Sequence, residues 1–498
     1  MNNDPLDQAK TLLDEGRVDD ALAITTPLAD HPEPSHRALA LHSTALKSLG
    51  RLEEALVFDQ RATMRFGGSG VAWHNLGATL GDLGHAAESV EAMNRALRLG
   101  LDGALSWVVL ARSKAGAGDL DGAEQAYQEA LKRAPQRDEM AAEYADLVWM
   151  RRGDVAEAQV VLDRAAHAGG AHAPLLMTKA QLYQAAGELE KAAELLALAA
   201  ERLPHEPALV MAAGMAALES GRLDEAERLT LSVETRAPEL PGVLNQLAIV
   251  YLAQGKADLA LEKAKKGLAL APDNQSLWGW AATAARATGD PLYKELYDYE
   301  AMVGVYEIET PDGWTSLEAY LADLAVALNK IHVYDQHPSL QSLRHGSQTT
   351  NRLTGSSDRA IKAFFKAVDK PIRQHIAGMG EGSDPVRARR TGNYRIEGSW
   401  SVRLKPGGFH KDHFHSEGWL SSAFYVETPD SALDTAEKQG WIRFGQPPFK
   451  TEPALPAEHF VRPKPGRLVL FPSYMWHGTV PFTTDERRLT IAFDAVPV

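Results

Sequence analysis

Three histidines and an aspartate fall within six residues in the segment KPGGFHKDHFHSEGW: His410, Asp412, His413 and His415. A lone histidine is usually a satisfied polar residue, but four potential ligands beside a Pro-Gly-Gly turn suggest a bound cation. On a strand, side chains two apart share a face, so His410 and Asp412 pair on one side and His413 and His415 on the other. One straight strand cannot aim all four at one ion. A third imidazole comes from His477, in GRLVLFPSYMWHGTVPF. Two ligand sets therefore stand open: His410, Asp412 and His477, or His413, His415 and His477. The first includes a carboxylate, and two His plus one carboxylate with open positions suit a reactive ferrous ion. Arg488 and Thr490 follow in RRLTIAF and share a strand face, where a guanidinium fork and a hydroxyl can hold a carboxylate.

The elements around these residues read as β structure. From residue 391 onward, NYRIEGSWSVRLKPGG, WLSSAFYVETP, GWIRFGQPP, GRLVLFPS and RRLTIAFDAVP are short apolar or alternating runs split by Gly and Pro. Their spacing suits a jelly roll or related barrel. Helices are expected over 315–332 and 359–377, with a polar Gly/Ser-containing stretch, SLRHGSQTTNRLTGSSD, between them.

The N-terminal three-fifths follow a different pattern. A phrase of the form GRLDEA starts at Gly16, Gly50, Gly84, Gly118, Gly153, Gly187, Gly221 and Gly255, at steps of 34 residues and once 35. Each unit reads as helix, glycine turn, helix, with the glycine ending the first helix and a small residue five positions on where the helices meet. Trp73, Trp107, Trp149, Trp278 and Trp280 are expected in packing rather than in a pocket.

These units resemble the tetratricopeptide repeat, whose own period is 34; VAWHNLGATLGDLGHAAES carries the Trp73…Leu76-Gly77 part of that consensus. The C-terminal set HKD…H…RLT resembles the H-x-D…H…R-x-[ST] pattern of Fe(II)/2-oxoglutarate dioxygenases. The longer stretches HFHSEGWLSSAFYV and LVLFPSYMWHGTVPFTTDERRLTIAF resemble bacterial and phage oxygenases fused to such repeats. The resemblance implies two domains. Residues 1–303 form an all-α repeat solenoid of about eight repeats plus a capping helix. Residues 304–498 form a double-stranded β-helix (jelly-roll or cupin-like) domain with supporting helices. It also implies Fe(II), 2-oxoglutarate and O₂, with 2-oxoglutarate held by Arg488, Thr490 and Tyr425, and with Trp419, Trp476 and Phe409 lining the substrate pocket. The implied reaction is hydroxylation of a peptide or protein side chain, with release of succinate and CO₂. Two alternatives remain: a cupin-like metalloenzyme independent of 2-oxoglutarate, and an inactive repeat scaffold.

Composition narrows the classes further. The chain has 498 residues, no cysteine, 52 Lys+Arg and 66 Asp+Glu. Thiolate zinc, iron–sulfur and disulfide chemistry are excluded, and a net charge of −14 argues against nucleic acid as partner. The polar, acidic start is no signal peptide and no apolar run suits a membrane helix, so the expected compartment is the cytoplasm. Residues 304–498 hold 23 basic and 22 acidic residues. The deficit thus belongs to the repeats, which are expected to favour a neutral or basic polypeptide partner, more weakly as salt rises.

Overall fold

A computed structural model describes residues 4–498. The glycine period appears as helical hairpins, from Pro5–Asp14 through Gln275–Thr288. Gly50 joins His36–Ser48 to Leu52–Arg65 at φ 70°, and Gly221 joins Pro207–Glu219 to Leu223–Glu234 at φ 81°. Both angles lie in the left-handed region, which a residue without a Cβ enters at least cost. Five residues on, Ala55, Ala123, Ala192 and Ala226 are fully buried where helices meet. The third unit has Ser89 there instead. It is equally buried, and its hydroxyl donates to the Gly77 carbonyl at 2.6 Å, which satisfies a polar atom that would otherwise be costly to bury.

By contact, the chain divides into two compact units. The first runs to Tyr144 and takes in Thr350–Ser357. That late segment lies across repeat turns: Asn351 Nδ2 donates to the Gly116 carbonyl at 3.1 Å. Gly355 approaches so closely that a Cβ there would fall 1.6 Å from the Leu83 carbonyl oxygen, so only glycine fits.

The second unit holds the chain from Ala145 to Thr349 and from Asp358 to the C-terminus, so the later repeats belong to the same compact unit as the β structure. Its strands are β1 (Gly304–Glu307), β2 (Leu343–Gln348), β3 (Tyr394–His410), β4 (Leu420–Glu427), β5 (Ile442–Phe444), β6 (His459–Val461), β7 (Arg467–Pro472), β8 (His477–Thr479) and β9 (Arg488–Pro497). One sheet runs β1-β7-β4-β9-β3-β2 and a smaller one β6-β5-β8, with antiparallel pairing in both. This is the mostly antiparallel arrangement expected of a jelly roll. The helices Leu317–Ile331 and Arg359–Gly378 support it, as the apolar periodicity indicated.

The stretch expected to be a polar connection contains β2. Leu343 starts it in the apolar core, but the buried side chains that follow, Ser347 and Gln348, are polar; Ser347 reaches His332 Nδ1 at 2.9 Å while Ser401 reaches His332 Nε2 at the same distance. A strand whose interior face is hydrogen-bonded rather than apolar leaves no alternation to read. Within this unit the repeats also grip the β structure. Trp280 packs on Phe414, Phe449 and Trp476, and Arg286 donates to the carbonyls of Gly445 and Pro456.

Candidate active site

β3 ends at His410, and the chain then bends, so strand parity does not govern the residues that follow. His413 forms an isolated antiparallel bridge with His477: each backbone N–H donates to the other's carbonyl at 2.9 Å. The His415 N–H donates to the Ser473 carbonyl at 2.8 Å. These bonds fix three backbones, and one ring nitrogen from each of His413, His415 and His477 lies within 4.8 Å of the others. The Nε2 atoms of His413 and His415 are 3.3 Å apart.

The opposite ring nitrogens explain the orientation. His413 Nδ1 faces the Lys411 carbonyl at 2.8 Å, His477 Nδ1 faces the Met475 carbonyl at 3.0 Å, and His415 Nδ1 faces Asp494 at 2.7 and 2.8 Å. Each of these acceptors lacks a proton, so each Nδ1 carries the hydrogen and each Nε2 keeps a lone pair. Burial, with the neighbouring His415, holds His413 down at about 3. Burial likewise drives His477 and His410 well below the usual histidine range. Burial also pulls His415 down, but the Asp494 carboxylate outweighs it and raises this one histidine. Neutral imidazoles with inward lone pairs are the form that binds a metal; His413 and His477 are held in it by burial, and His415 takes it by giving up its Nε2 proton to an incoming cation.

The carboxylate of Asp412 lies elsewhere. Arg443 donates to it through Nε and Nη2, at 2.9 and 2.6 Å, and Gln446 Nε2 adds a bond at 3.1 Å. His410 does reach the cavity, where its Nδ1 meets Ser342 Oγ at 3.0 Å, and the same hydroxyl lies 3.1 Å from His413 Nε2. The two residues paired by parity thus part company: His410 faces the cavity, and Asp412 an arginine.

The wall beside the histidines includes Arg488, Thr490 and Ala492 from β9 with Val402 and Trp400 from β3. Arg488 is 3% exposed. Its Nε has no hydrogen-bond partner, and no ion pair engages it among the described residues. Its guanidinium carbon lies 5.0 Å from the centre of the Tyr425 ring, and apart from this guanidinium the buried Tyr425 hydroxyl has no partner among the described residues. Burial depresses Arg488 and elevates Tyr425. A buried cation beside unfilled donors suits an incoming carboxylate.

Trp419, Trp476 and Phe409 are not among the residues lining this cavity. Trp419 donates to the Val386 carbonyl at 2.8 Å and Trp476 to Thr283 Oγ1 at 2.8 Å, both buried in packing. Phe409 sits on β3 opposite Arg344. Conversely, Asp494, Ser342 and Arg443 were not expected. Asp494 carries a readable signal: it is the fourth member, after Arg488, Thr490 and Ala492, of one alternating face of β9.

Residues 398–494 match the family described as "Putative 2OG-Fe(II) oxygenase", and residues 74–138, 108–174 and 177–241 match the tetratricopeptide repeat. The chain therefore combines tetratricopeptide repeats with a C-terminal domain of that oxygenase type. No curated protein is significantly similar to it in sequence. Among solved structures, the APC/C hetero-tetramer Cut9-Hcn1 is similar at 19% identity over 56% of this chain, with a TM-score of 0.32; the match spans 55% of that protein's chain. A tetratricopeptide repeat protein from Parabacteroides merdae matches at 15% identity over 49% of this chain and 97% of its own, TM-score 0.35. YrrB, titled a TPR protein with an unusual peptide-binding site, matches at 19% identity over 38% and 96%, TM-score 0.27. No helix among the described residues is long and apolar enough to cross a membrane.

Proposed function

We propose that the chain is an Fe(II)/2-oxoglutarate-dependent oxygenase that hydroxylates a peptide or protein side chain recruited by its repeats. In this reading His413, His415 and His477 hold the iron, and Arg488, Thr490 and Tyr425 hold the distal carboxylate of 2-oxoglutarate. The observation that carries it is one cavity wall with three convergent histidines and a buried arginine that has no counter-ion among the described residues. With 2-oxoglutarate and O₂, a bound ferrous ion supplies oxidative decarboxylation to succinate and CO₂, coupled to oxidation of a substrate C–H bond. The protein's own part is positional. The carbonyls of Lys411 and Met475 and the carboxylate of Asp494 keep the three Nε2 lone pairs inward. Thr490 and Arg488 share a face of β9, which orients one end of the cosubstrate. The apolar neighbours Val402, Ile442 and Phe471 limit water at the cavity.

The acidic excess of the chain lies in the repeats, which supports a neutral or basic polypeptide as partner. The test is succinate formation by the iron-loaded full chain with a panel of basic and acidic peptides. Turnover that needs iron, 2-oxoglutarate and a basic peptide supports the proposal, and failure to bind iron would end it. The all-histidine cluster also gives weight to a second reading, a cupin-like metalloenzyme that does not use 2-oxoglutarate. Activity that survives Arg488→Met favours that one.

A further inference from the structure

The histidine cluster contains no carboxylate, yet a carboxylate stands directly behind it. Asp494 contacts His415 Nδ1 with both oxygens, at 2.7 and 2.8 Å, and Ser421 Oγ donates to its Oδ1 at 2.7 Å. Ser421 in turn reaches Ser473 Oγ at 2.9 Å. The side chains of His415 and Asp494 are 18% and 16% exposed. No arginine or lysine forms an ion pair with Asp494 among the described residues, in contrast to Asp412, whose charge Arg443 neutralises. An anion buried with one imidazole and one hydroxyl is therefore left without a full counter-charge.

We infer that Asp494 is a positioning residue for the metal: it supplies, through His415, the negative charge that the ligand set itself lacks. The inference rests on the proposed metal site. A carboxylate accepting from Nδ1–H fixes the tautomer, holds the ring plane and makes Nε2 a stronger donor. The other two histidines face only neutral carbonyls, so the asymmetry is specific to His415. Register explains why the group is available: Ser421 and Asp494 are directly opposed on β4 and β9, which puts the hydroxyl and the carboxylate together beneath the ring. Asp494 then closes the β9 face that begins with Arg488, so one strand serves the cosubstrate at one end and the metal at the other.

The experiment is Co(II) titration of the full-length apo protein, read by the visible ligand-field spectrum, for wild type, Asp494→Asn, Asp494→Ala, His413→Ala and His477→Ala. Asparagine keeps an oxygen acceptor for Nδ1–H but loses the charge. Expected are a roughly tenfold loss of Co(II) affinity and a shifted spectrum for Asp494→Asn, and a loss nearer a hundredfold for Asp494→Ala, with unchanged thermal unfolding of the Asp494→Asn apo protein. Near-complete loss of the spectrum is expected for both histidine variants. Wild-type affinity and spectrum in both Asp494 variants, with the histidine variants still defective, would overturn the role of Asp494 alone. Wild-type binding by the histidine variants would overturn the metal site and this inference with it.

Discussion

Replacing Arg488 with methionine should separate two effects that usually go together. Arg488 is 3% exposed and has no acidic partner among the described residues, so in the apo protein it is a desolvated charge that only the Tyr425 ring and hydroxyl partly offset. Methionine keeps much of the apolar stem and removes the charge. Stability of the apo protein should therefore stay level or rise, because removing an unpaired buried ion relieves a cost of several kcal/mol. Binding of 2-oxoglutarate should move the other way. Losing one partner of a buried, charge-assisted pair costs about 2–5 kcal/mol, or roughly thirty-fold to a few thousand-fold in affinity. Lysine should fall between, since it keeps the charge and loses the fork. The assay pairs calorimetric titration of 2-oxoglutarate into anaerobic, metal-loaded protein with thermal unfolding of the apo form. Affinity within threefold of wild type, together with marked destabilisation, would make Arg488 a structural residue and not a cosubstrate ligand.

Other consequences follow from the same geometry. Tyr425→Phe removes a buried hydroxyl whose one neighbour among the described residues is the Arg488 guanidinium; apo stability should change little while 2-oxoglutarate affinity drops about tenfold, as for one hydrogen bond to a charged group. Asp412→Asn leaves Arg443 partly buried and weakly paired, so unfolding in urea should show a loss of about 2–4 kcal/mol, without loss of metal. Burial holds His332 at about 3 and both His337 and His375 at about 4. Their folded values lie below the unfolded one, so stability should be full above pH 6.5 and fall as pH drops below it, by about 1.4 kcal/mol per pH unit for each such histidine. His332→Gln should flatten that slope by one histidine's share between pH 6.5 and 5, and an unchanged slope would contradict the assignment. The segment bearing Gln341 and Ser342 hangs on the repeat helix at Asp146, Trp149 and Met150, through bonds to Ser339 N, from Trp149 Nε1 to the His337 carbonyl, and from Gln336 N. Asp146→Ala should raise amide exchange at Ser339 about tenfold, for the loss of one buried hydrogen bond.

Much of this architecture is legible in the amino-acid sequence. The glycine period announces the solenoid because every hairpin needs a left-handed residue at the same place. Arg488 and Thr490 share a wall because β9 is a regular strand, where alternation holds; extended by two more steps, the same rule reaches Asp494. Legibility ended where regular structure ended. Past His410 the chain leaves β3, and spacing alone could not say that Asp412 turns to Arg443 while His413 and His415 turn to His477. Nor could it show β2, whose buried residues after Leu343 are Gly346, Ser347 and Gln348 rather than an apolar stripe. The indoles of Trp419 and Trp476 looked like cavity walls from their neighbours in sequence, but their N–H groups are committed to Val386 and Thr283 in the packing behind.

The proposed metal ligands are His413, His415 and His477 rather than a set that includes Asp412. Iron content per chain, measured after anaerobic Fe(II) loading and desalting of wild type, His415→Ala and Asp412→Asn, tests this assignment most directly. Near-stoichiometric iron is expected in wild type and in Asp412→Asn, and little in His415→Ala. Iron retained by His415→Ala and lost from Asp412→Asn would contradict the assignment.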